Sequence, residues 1–213
     1  VRLVCISDTH SLHDQLPDLP AGDVLVHAGD CTGTGKLRRG FEFVEWFAAQ
    51  PHEHKILIAG NHDFCFEDHP EWMQEHCENQ GVIYLEDSSV VIDGVKFHGS
   101  PWTPVFRDMA FNAKPKLMQE KMKLVPDDTQ VLITHGPPRR LFDYVPADDL
   151  HVGCLSIAAR LPFLKQLRAH IFGHIHEGYG KQEKDGVISA NVSTCTSRYE
   201  PTNPAVVIDL IDK

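Results

Sequence analysis

Five short apolar runs in this chain each stop abruptly at aspartate, asparagine or histidine. Leu3-Val4-Cys5-Ile6 gives way to Ser7-Asp8-Thr9-His10, and Val24-Leu25-Val26 to His27-Ala28-Gly29-Asp30. Ile56-Leu57-Ile58-Ala59 leads into Gly60-Asn61-His62-Asp63, Val131-Leu132-Ile133-Thr134 into His135-Gly136, and Ile171-Phe172 into Gly173-His174-Ile175-His176. A short apolar, partly β-branched run bounded by turn formers reads as a strand buried on both faces. Ligands of open α/β sheets bind at the carboxyl ends of such strands. Asp8 and His10, two residues apart, can enter one crevice while Thr9 points away. A carboxylate beside an imidazole suits a divalent cation. Each cluster alone has an ordinary explanation: Gly-Asp is a common turn, and a lone histidine is often a satisfied core residue. Five at successive strand ends point to a shared metal site.

Between these runs the chain alternates in kind. Leu37, Phe41, Val44 and Phe47/Ala48 recur at helical spacing within Lys36–Gln50, closed by Pro51, with Phe43, Trp46 and Phe47 read as packing residues. Further helices are expected over Pro70–Glu78, Lys116–Leu124 and Cys154–Leu167, the last kinked or restarted at Pro162. Asp93-Gly94 and Asp185-Gly186 are two-residue hairpin signals, joining Val90–Ile92 to Val95–Phe97 and Tyr179–Lys184 to Val187–Asn191. Short strands are expected at Val82–Leu85 and Ala205–Leu210. The change from strand–helix alternation to hairpins predicts a mixed sheet or a second sheet. No repeat or composition break divides the chain, so residues 1–213 are expected to form a single domain.

The formal charge of −10 argues against broad adhesion to long nucleic acid or anionic membranes, which needs a basic face. It is compatible with a small phosphorylated substrate or nucleotide, because bound metals can dominate the field of a site. No apolar run approaches the roughly 20 residues of a membrane helix. The N-terminus lacks a basic-then-apolar signal pattern, although a start at Val1 rather than Met leaves room for a preceding segment. The six cysteines form no Cys-x-x-Cys pair and fit reduced thiols in an intracellular, cytoplasmic protein. Among the 14 histidines, His52, His54, His69 and His76 lie in polar or helical contexts and are expected at the surface.

In this order, Asp-x-His, Gly-Asp, Gly-Asn-His-Asp, His-Gly and Gly-His-x-His resemble the calcineurin-like metallophosphoesterase superfamily. Longer strings are similar to its metallophosphoesterase-domain-containing subgroup, related to class III cyclic-nucleotide phosphodiesterases: Cys-Ile-Ser-Asp-Thr-His-Ser, Asp-Val-Leu-Val-His-Ala-Gly-Asp, Gly-Ser-Pro-Trp, Ile-Thr-His-Gly-Pro-Pro and Phe-Gly-His-Ile-His-Glu-Gly-Tyr-Gly. The resemblance implies an α/β fold, a four-layer α/β/β/α sandwich of two mixed β-sheets flanked by helices. It also implies two metal ions. Asp8, His10 and His176 would hold one, Asn61, His135 and His174 the other, and Asp30 would bridge them. Oxygen and imidazole donors without thiolate fit Mn, Fe or Zn.

The expected activity is hydrolysis of small phosphodiesters, cyclic nucleotides among them, and of monoesters. A hydroxide shared by the metals would attack phosphorus in line, with His62 protonating the leaving oxygen or stabilising the transition state. Asp14 or Asp63 could orient a histidine; a helix cap or turn explains Asp63 equally well. Arg139 and Arg140 could contact an anion or lie solvated. Trp102 and Phe106 could stack on a base, with loop-anchoring packing the alternative for Trp102. Asn191 and Cys195 fall in a further subgroup-like stretch without an assigned role. Short loops predict an open cleft and loose selectivity. The rival class is a nucleotide- or phosphate-binding regulator with weak catalysis. A metallo-β-lactamase-type hydrolase ranks low, because its dense His-x-His-x-Asp-His run is absent.

Overall fold

Successive side chains of β1 (Arg2–Ile6) enter different apolar layers, Leu3 and Cys5 one and Val4 another. In β2 (Val24–Ala28), Val24, Val26 and Ala28 oppose Leu25; in β3 (His54–Ile58), Ile56 and Ile58 oppose Leu57. Strands apolar on both faces need cover on both. The computed structural model, which describes residues 1–210, supplies it with a second sheet on one side and helices on the other.

The first sheet runs β15 (Val206–Asp209), β1, β2, β3, β4 (Ile83–Tyr84). It is parallel from β1 to β4 and antiparallel at β15. The second runs β13 (Gly180–Lys184), β14 (Val187–Asn191), β12 (Ala169–Phe172), β9 (Val131–Thr134), β6 (Val95–Ser100), β5 (Ser88–Ile92). Its four middle strands are parallel, and the two expected hairpins form its antiparallel edges.

The central core lies between the sheets, where Leu3, Val26, Ile56 and Ile58 meet Phe97, Val131, Ile133 and Ile171. Outside the first sheet, α1 (Leu37–Ala48), α2 (Phe64–Asp68) and α3 (Pro70–Asn79) bury Phe43, Phe47, Phe66 and Met73. Outside the second, α4 (Pro115–Lys123) and α5 (Leu155–Arg160) bury Met118, Met122 and Ile157 around Leu132. Each fully buried Leu, Ile, Val or Phe contributes roughly 1.5–3 kcal/mol. The result is the expected four-layer arrangement of two mixed sheets flanked by helices.

Several local expectations need correction. The helix over Cys154–Leu167 ends at Arg160; Leu161–Phe163 is a single 3-10 turn, because Pro162 has no N–H to continue the ladder. Leu164 and Leu167 bury from the irregular segment that follows. His52 is 3% exposed rather than at the surface, its Nε2–H donating to the Pro20 carbonyl. The short α2 and two small strand pairs were not read from the sequence. These pairs are β7 (Thr103–Pro104) with β8 (Asn112–Ala113) and β10 (Tyr144–Val145) with β11 (Leu150–His151).

All six cysteines are buried free thiols. Among the described residues no helix is long and apolar enough to cross a membrane. The carboxyl ends of β1, β2 and β3 meet those of β9 and β12 at one rim of the sandwich. There Ser7 pairs with Ser193, and the Gly173 N–H donates to the His135 carbonyl at 2.8 Å.

Candidate metal centre

At this rim the chain leaves its strands through left-handed residues. Asp8, His10, Asp30 and His174 have φ of 51°, 44°, 57° and 69°. Such values are uncommon outside glycine, with Asp, Asn and His the most tolerant. Neighbouring glycines let the turns nest: a Cβ on Gly60 would sit 2.3 Å from Asp30 Oδ1, and one on Gly173 2.1 Å from Asp8 Oδ2.

The donor atoms converge. Asp8, His10 and His176 form one group whose ligand atoms lie within 4.8 Å of one another, and Asp30, His135 and His174 form another. His10 Nε2 is 3.2 Å from His176 Nε2, which is 3.5 Å from Asp8 Oδ1. His135 Nε2 is 2.9 Å from Asn61 Oδ1 and 3.3 Å from Asp30 Oδ1. The other Asp30 oxygen lies 3.8 Å from His10 Nε2, so this carboxylate faces both groups. His10, Asp30 and His62 make a third overlapping group, so His62 also lies within ligand reach.

Backbone carbonyls set the tautomers. His135 Nδ1–H donates to Ala28 O and His176 Nδ1–H to Thr196 O, both at 2.9 Å, leaving each Nε2 lone pair for the centre. His62 Nδ1–H donates to Gly33 O at 3.1 Å, leaving its Nε2 open. Asp8 is held by the Ser7 and Ser193 hydroxyls and by the His174 N–H.

The electrostatics call for positive charge. Burial opposes charging His135 and His176, but Asp30 beside the first and Asp8 beside the second outweigh it and lift both to about 9. Burial likewise opposes ionising Asp8 and Asp30, yet the surrounding imidazoles hold both below the ordinary carboxylate range. Two buried carboxylates that draw protons onto neighbouring imidazoles, with no thiolate among the donors, fit divalent metal ions, which would take the place of those protons.

The family profile of calcineurin-like phosphoesterases matches residues 1–178. The chain belongs to that family. The human protein named metallophosphoesterase domain-containing protein 1 is 40% identical over 98% of this chain and 71% of its own length. Solved structures share the fold at low identity. The protein TT1561 of Thermus thermophilus aligns with a TM-score of 0.62 at 11% identity over 89% of this chain and 88% of its own. A protein described as a novel archaeal phosphodiesterase aligns at 0.53 and 19% identity over 98% and 93%.

Around the centre, this phosphoesterase has a cleft of about 550 Å³. Asp30, Asn61, His62, His174 and His176 line one end, and Val105, Phe106, Arg107, Arg139, His151 and Tyr199 are among the residues lining the rest. Arg139 reaches the cleft; Arg140 is exposed beside it, its N–H bonded to Asp143. Trp102 is not among the lining residues. Its indole N–H donates to Asp87 at 2.9 Å, Lys121 lies over its ring and Phe111 packs edge-on against it.

Asp63 orients backbone rather than a histidine. It accepts the N–H groups of Cys31, Thr32 and Gly60 and the Thr32 hydroxyl, tying the Asp30 and Asn61 turns together. Asp14 lies at the surface, 3.8 Å from His13, away from the centre. Asn191 braces the Gly173–His176 turn through Ile175 O at 2.8 Å.

Sequence reasoning missed Thr196, Tyr199, His151 and Asp143. Tyr199 stands in a left-handed conformation (φ 59°) with its ring 4.9 Å from that of His10 and 5.3 Å from that of His176. Thr196, Tyr199 and His151 follow no apolar run, and the Leu141-Phe142 pair before Asp143 belongs to no strand, so no strand-end signal marks them.

Proposed function

We propose that this phosphoesterase hydrolyses small phosphodiesters, cyclic nucleotides among them, with monoesters as a second class. The observation that carries this reading is the convergence of seven metal-type side chains from two sheets, with Asp30 facing both groups. In this reading Asp8, His10 and His176 would hold one ion and Asn61, His135 and His174 a second, with Asp30, which faces both groups, available to either; Mn, Fe or Zn would suit the donors. Such ions, when bound, supply Lewis-acid activation of water and neutralise charge on the phosphoryl oxygens.

The chain's own groups do the rest. Ala28 O and Thr196 O keep His135 and His176 in the ligating tautomer. With Nδ1–H committed to Gly33 O, His62 turns Nε2 toward the cleft, and as an imidazolium it would protonate the leaving oxygen. General-acid catalysis of this kind contributes about 10²–10⁴-fold. Val105, Phe106, Val152 and Ile175 offer apolar surface to the ester group along the cleft. Six buried free thiols support work in a reducing compartment such as the cytoplasm. Residues 1–213 act as one catalytic unit in this reading.

The test is hydrolysis of bis(p-nitrophenyl) phosphate by chelator-stripped protein with Mn²⁺, Fe²⁺ or Zn²⁺ restored, beside an Asn61→Ala variant. Activity should return with metal and fall at least about 100-fold in the variant. Folded, metal-loaded protein that turns over neither this ester nor a panel of cyclic nucleotides would overturn the proposal.

A further inference from the structure

The cleft wall beyond the metal centre is basic in an acidic chain. Lysine and arginine number 20 against 30 aspartates and glutamates, so an arginine finds a carboxylate partner easily. Arg2, Arg38, Arg39 and Arg160 each have one. Arg107 and Arg139, both lining the cleft, have no carboxylate within ion-pair distance among the described residues.

Both cleft arginines are carried on shaped loops. Arg107 lies over the Phe106 ring at 4.9 Å, and its carbonyl accepts the Asn112 side-chain amide at 2.8 Å. The Arg139 N–H donates to Cys154 O at 3.0 Å, pinning the chain just after Pro138.

A third group is built into the same wall. Asp143 is 1% exposed, and its carboxylate accepts three N–H groups: Arg140 N at 2.8 Å, Gly153 N at 3.0 Å and His151 Nδ1 at 2.6 Å. Its ion pair is with His151, and Arg139 lies outside ion-pair distance of it. Asp143 orients the His151 ring through Nδ1–H and leaves Nε2 open on a side chain 43% exposed on the cleft; as an imidazolium, its charge balanced by Asp143, His151 offers an anion an Nε2–H donor. Asp148, at the tip of the same loop, is the one carboxylate lining this part of the cleft.

Unpaired guanidinium groups on a concave wall favour phosphate, which their planar forks meet with two parallel hydrogen bonds. None of Arg107, Arg139 or His151 belongs to the candidate metal groups. Their donors are therefore not committed to a metal ion and are free for an anionic group of the substrate. A cleft of about 550 Å³ suits a nucleotide-sized ligand rather than a bare phosphate.

We propose that Arg107, Arg139 and the Asp143-oriented His151 form a second anion subsite, which selects phosphodiesters carrying an additional phosphate remote from the scissile one. The proposal rests on the phosphodiesterase reading above and assigns its substrate class.

The experiment compares two esters that differ in one group: thymidine 5′-(p-nitrophenyl phosphate) with and without a 3′-phosphate. Wild type, Arg107→Gln/Arg139→Gln and His151→Gln are assayed with metal restored. In parallel, calorimetry measures binding of thymidine 3′,5′-bisphosphate and of thymidine 5′-phosphate to the same proteins. The 3′-phosphate should lower wild-type KM about tenfold or more. That ratio should collapse toward one in the double variant and shrink in His151→Gln. Equal KM values in wild type, or a ratio that survives in the double variant, would overturn the subsite. If neither ester is cleaved, the catalytic reading falls and calorimetry decides the subsite alone. A bisphosphate preference lost in the double variant upholds it, and no preference refutes it.

Discussion

The Nδ1–H of His176 donates to the carbonyl oxygen of Thr196 at 2.9 Å. The same carbonyl accepts the Tyr199 N–H at 2.8 Å, and the Thr196 hydroxyl accepts the N–H groups of Arg198 and Glu200. A loop beyond the family-matched residues 1–178 thus sets the tautomer of a candidate ligand inside them. Thr196→Val keeps the carbonyl but removes the hydroxyl that closes the loop. Metal affinity, measured by titration calorimetry, should fall about tenfold, the lower end of the effect of disturbing a ligand's hydrogen-bond partner. Unchanged affinity would show that the loop is held by its other contacts.

Asp63 joins two turns that carry candidate ligands. Replacing it with asparagine keeps the shape but points an amide donor at N–H groups that need an acceptor. One oxygen is lost as an acceptor, leaving either the Cys31 and Gly60 N–H groups or that of Thr32 unpaired, and stability should fall by about 1–3 kcal/mol in urea titrations. A loss below about 1 kcal/mol would mean the turns hold without it.

Gly60→Ala tests how closely the turns nest. Its Cβ would meet Asp30 Oδ1 at 2.3 Å and His135 Cε1 at 2.6 Å. Overpacking of this kind costs about 1–3 kcal/mol. The folded variant, checked by circular dichroism, should bind Mn²⁺ at least about tenfold more weakly, because the shift falls on Asp30.

Acid should destabilise the protein through histidines remote from substrate. Burial holds His27 and His170 at about 3 against an ordinary 6.5. His27 accepts the Gly29 N–H on Nδ1, and His170 donates Nε2–H to Thr134, leaving its own Nδ1 buried without a partner. Below pH 6.5 the unfolded chain takes up protons that the folded chain refuses, so stability falls as pH falls. At pH 5 each residue should subtract about 2 kcal/mol from the stability at pH 7. Denaturant melts at both values should show it, and His170→Leu should remove about 2 kcal/mol of the difference.

What the sequence revealed follows from how strongly each feature is signalled locally. Alternating burial on two faces produced continuous apolar runs, so β1, β2, β3 and β9 were legible, and with them the clusters at their ends. Asp-Gly turns gave away both edge hairpins. The five-residue α2 and the two-residue pairs β7–β8 and β10–β11 are too short for any period to register. His52 looked like a surface residue because its burial comes from Pro20, 32 positions away. Asp143 and His151 flank a loop and meet through its pairing, a relation that spacing alone does not reveal. Asp63 could be read as a cap or turn residue, but its span across two turns depends on tertiary approach.

The seven candidate ligands divide between the two sheets. Asp8, His10, Asp30 and Asn61 follow strands of the first, and His135, His174 and His176 follow strands of the second. Each of the two outer donor groups, Asp8/His10/His176 and Asp30/His135/His174, therefore takes members from both sides. A chain cut between Leu85 and Ser88 would yield two pieces, neither with a full complement for either ion. Rejoining them would restore the complement, so such a pair of fragments could serve as a complementation reporter in which cation capture registers assembly.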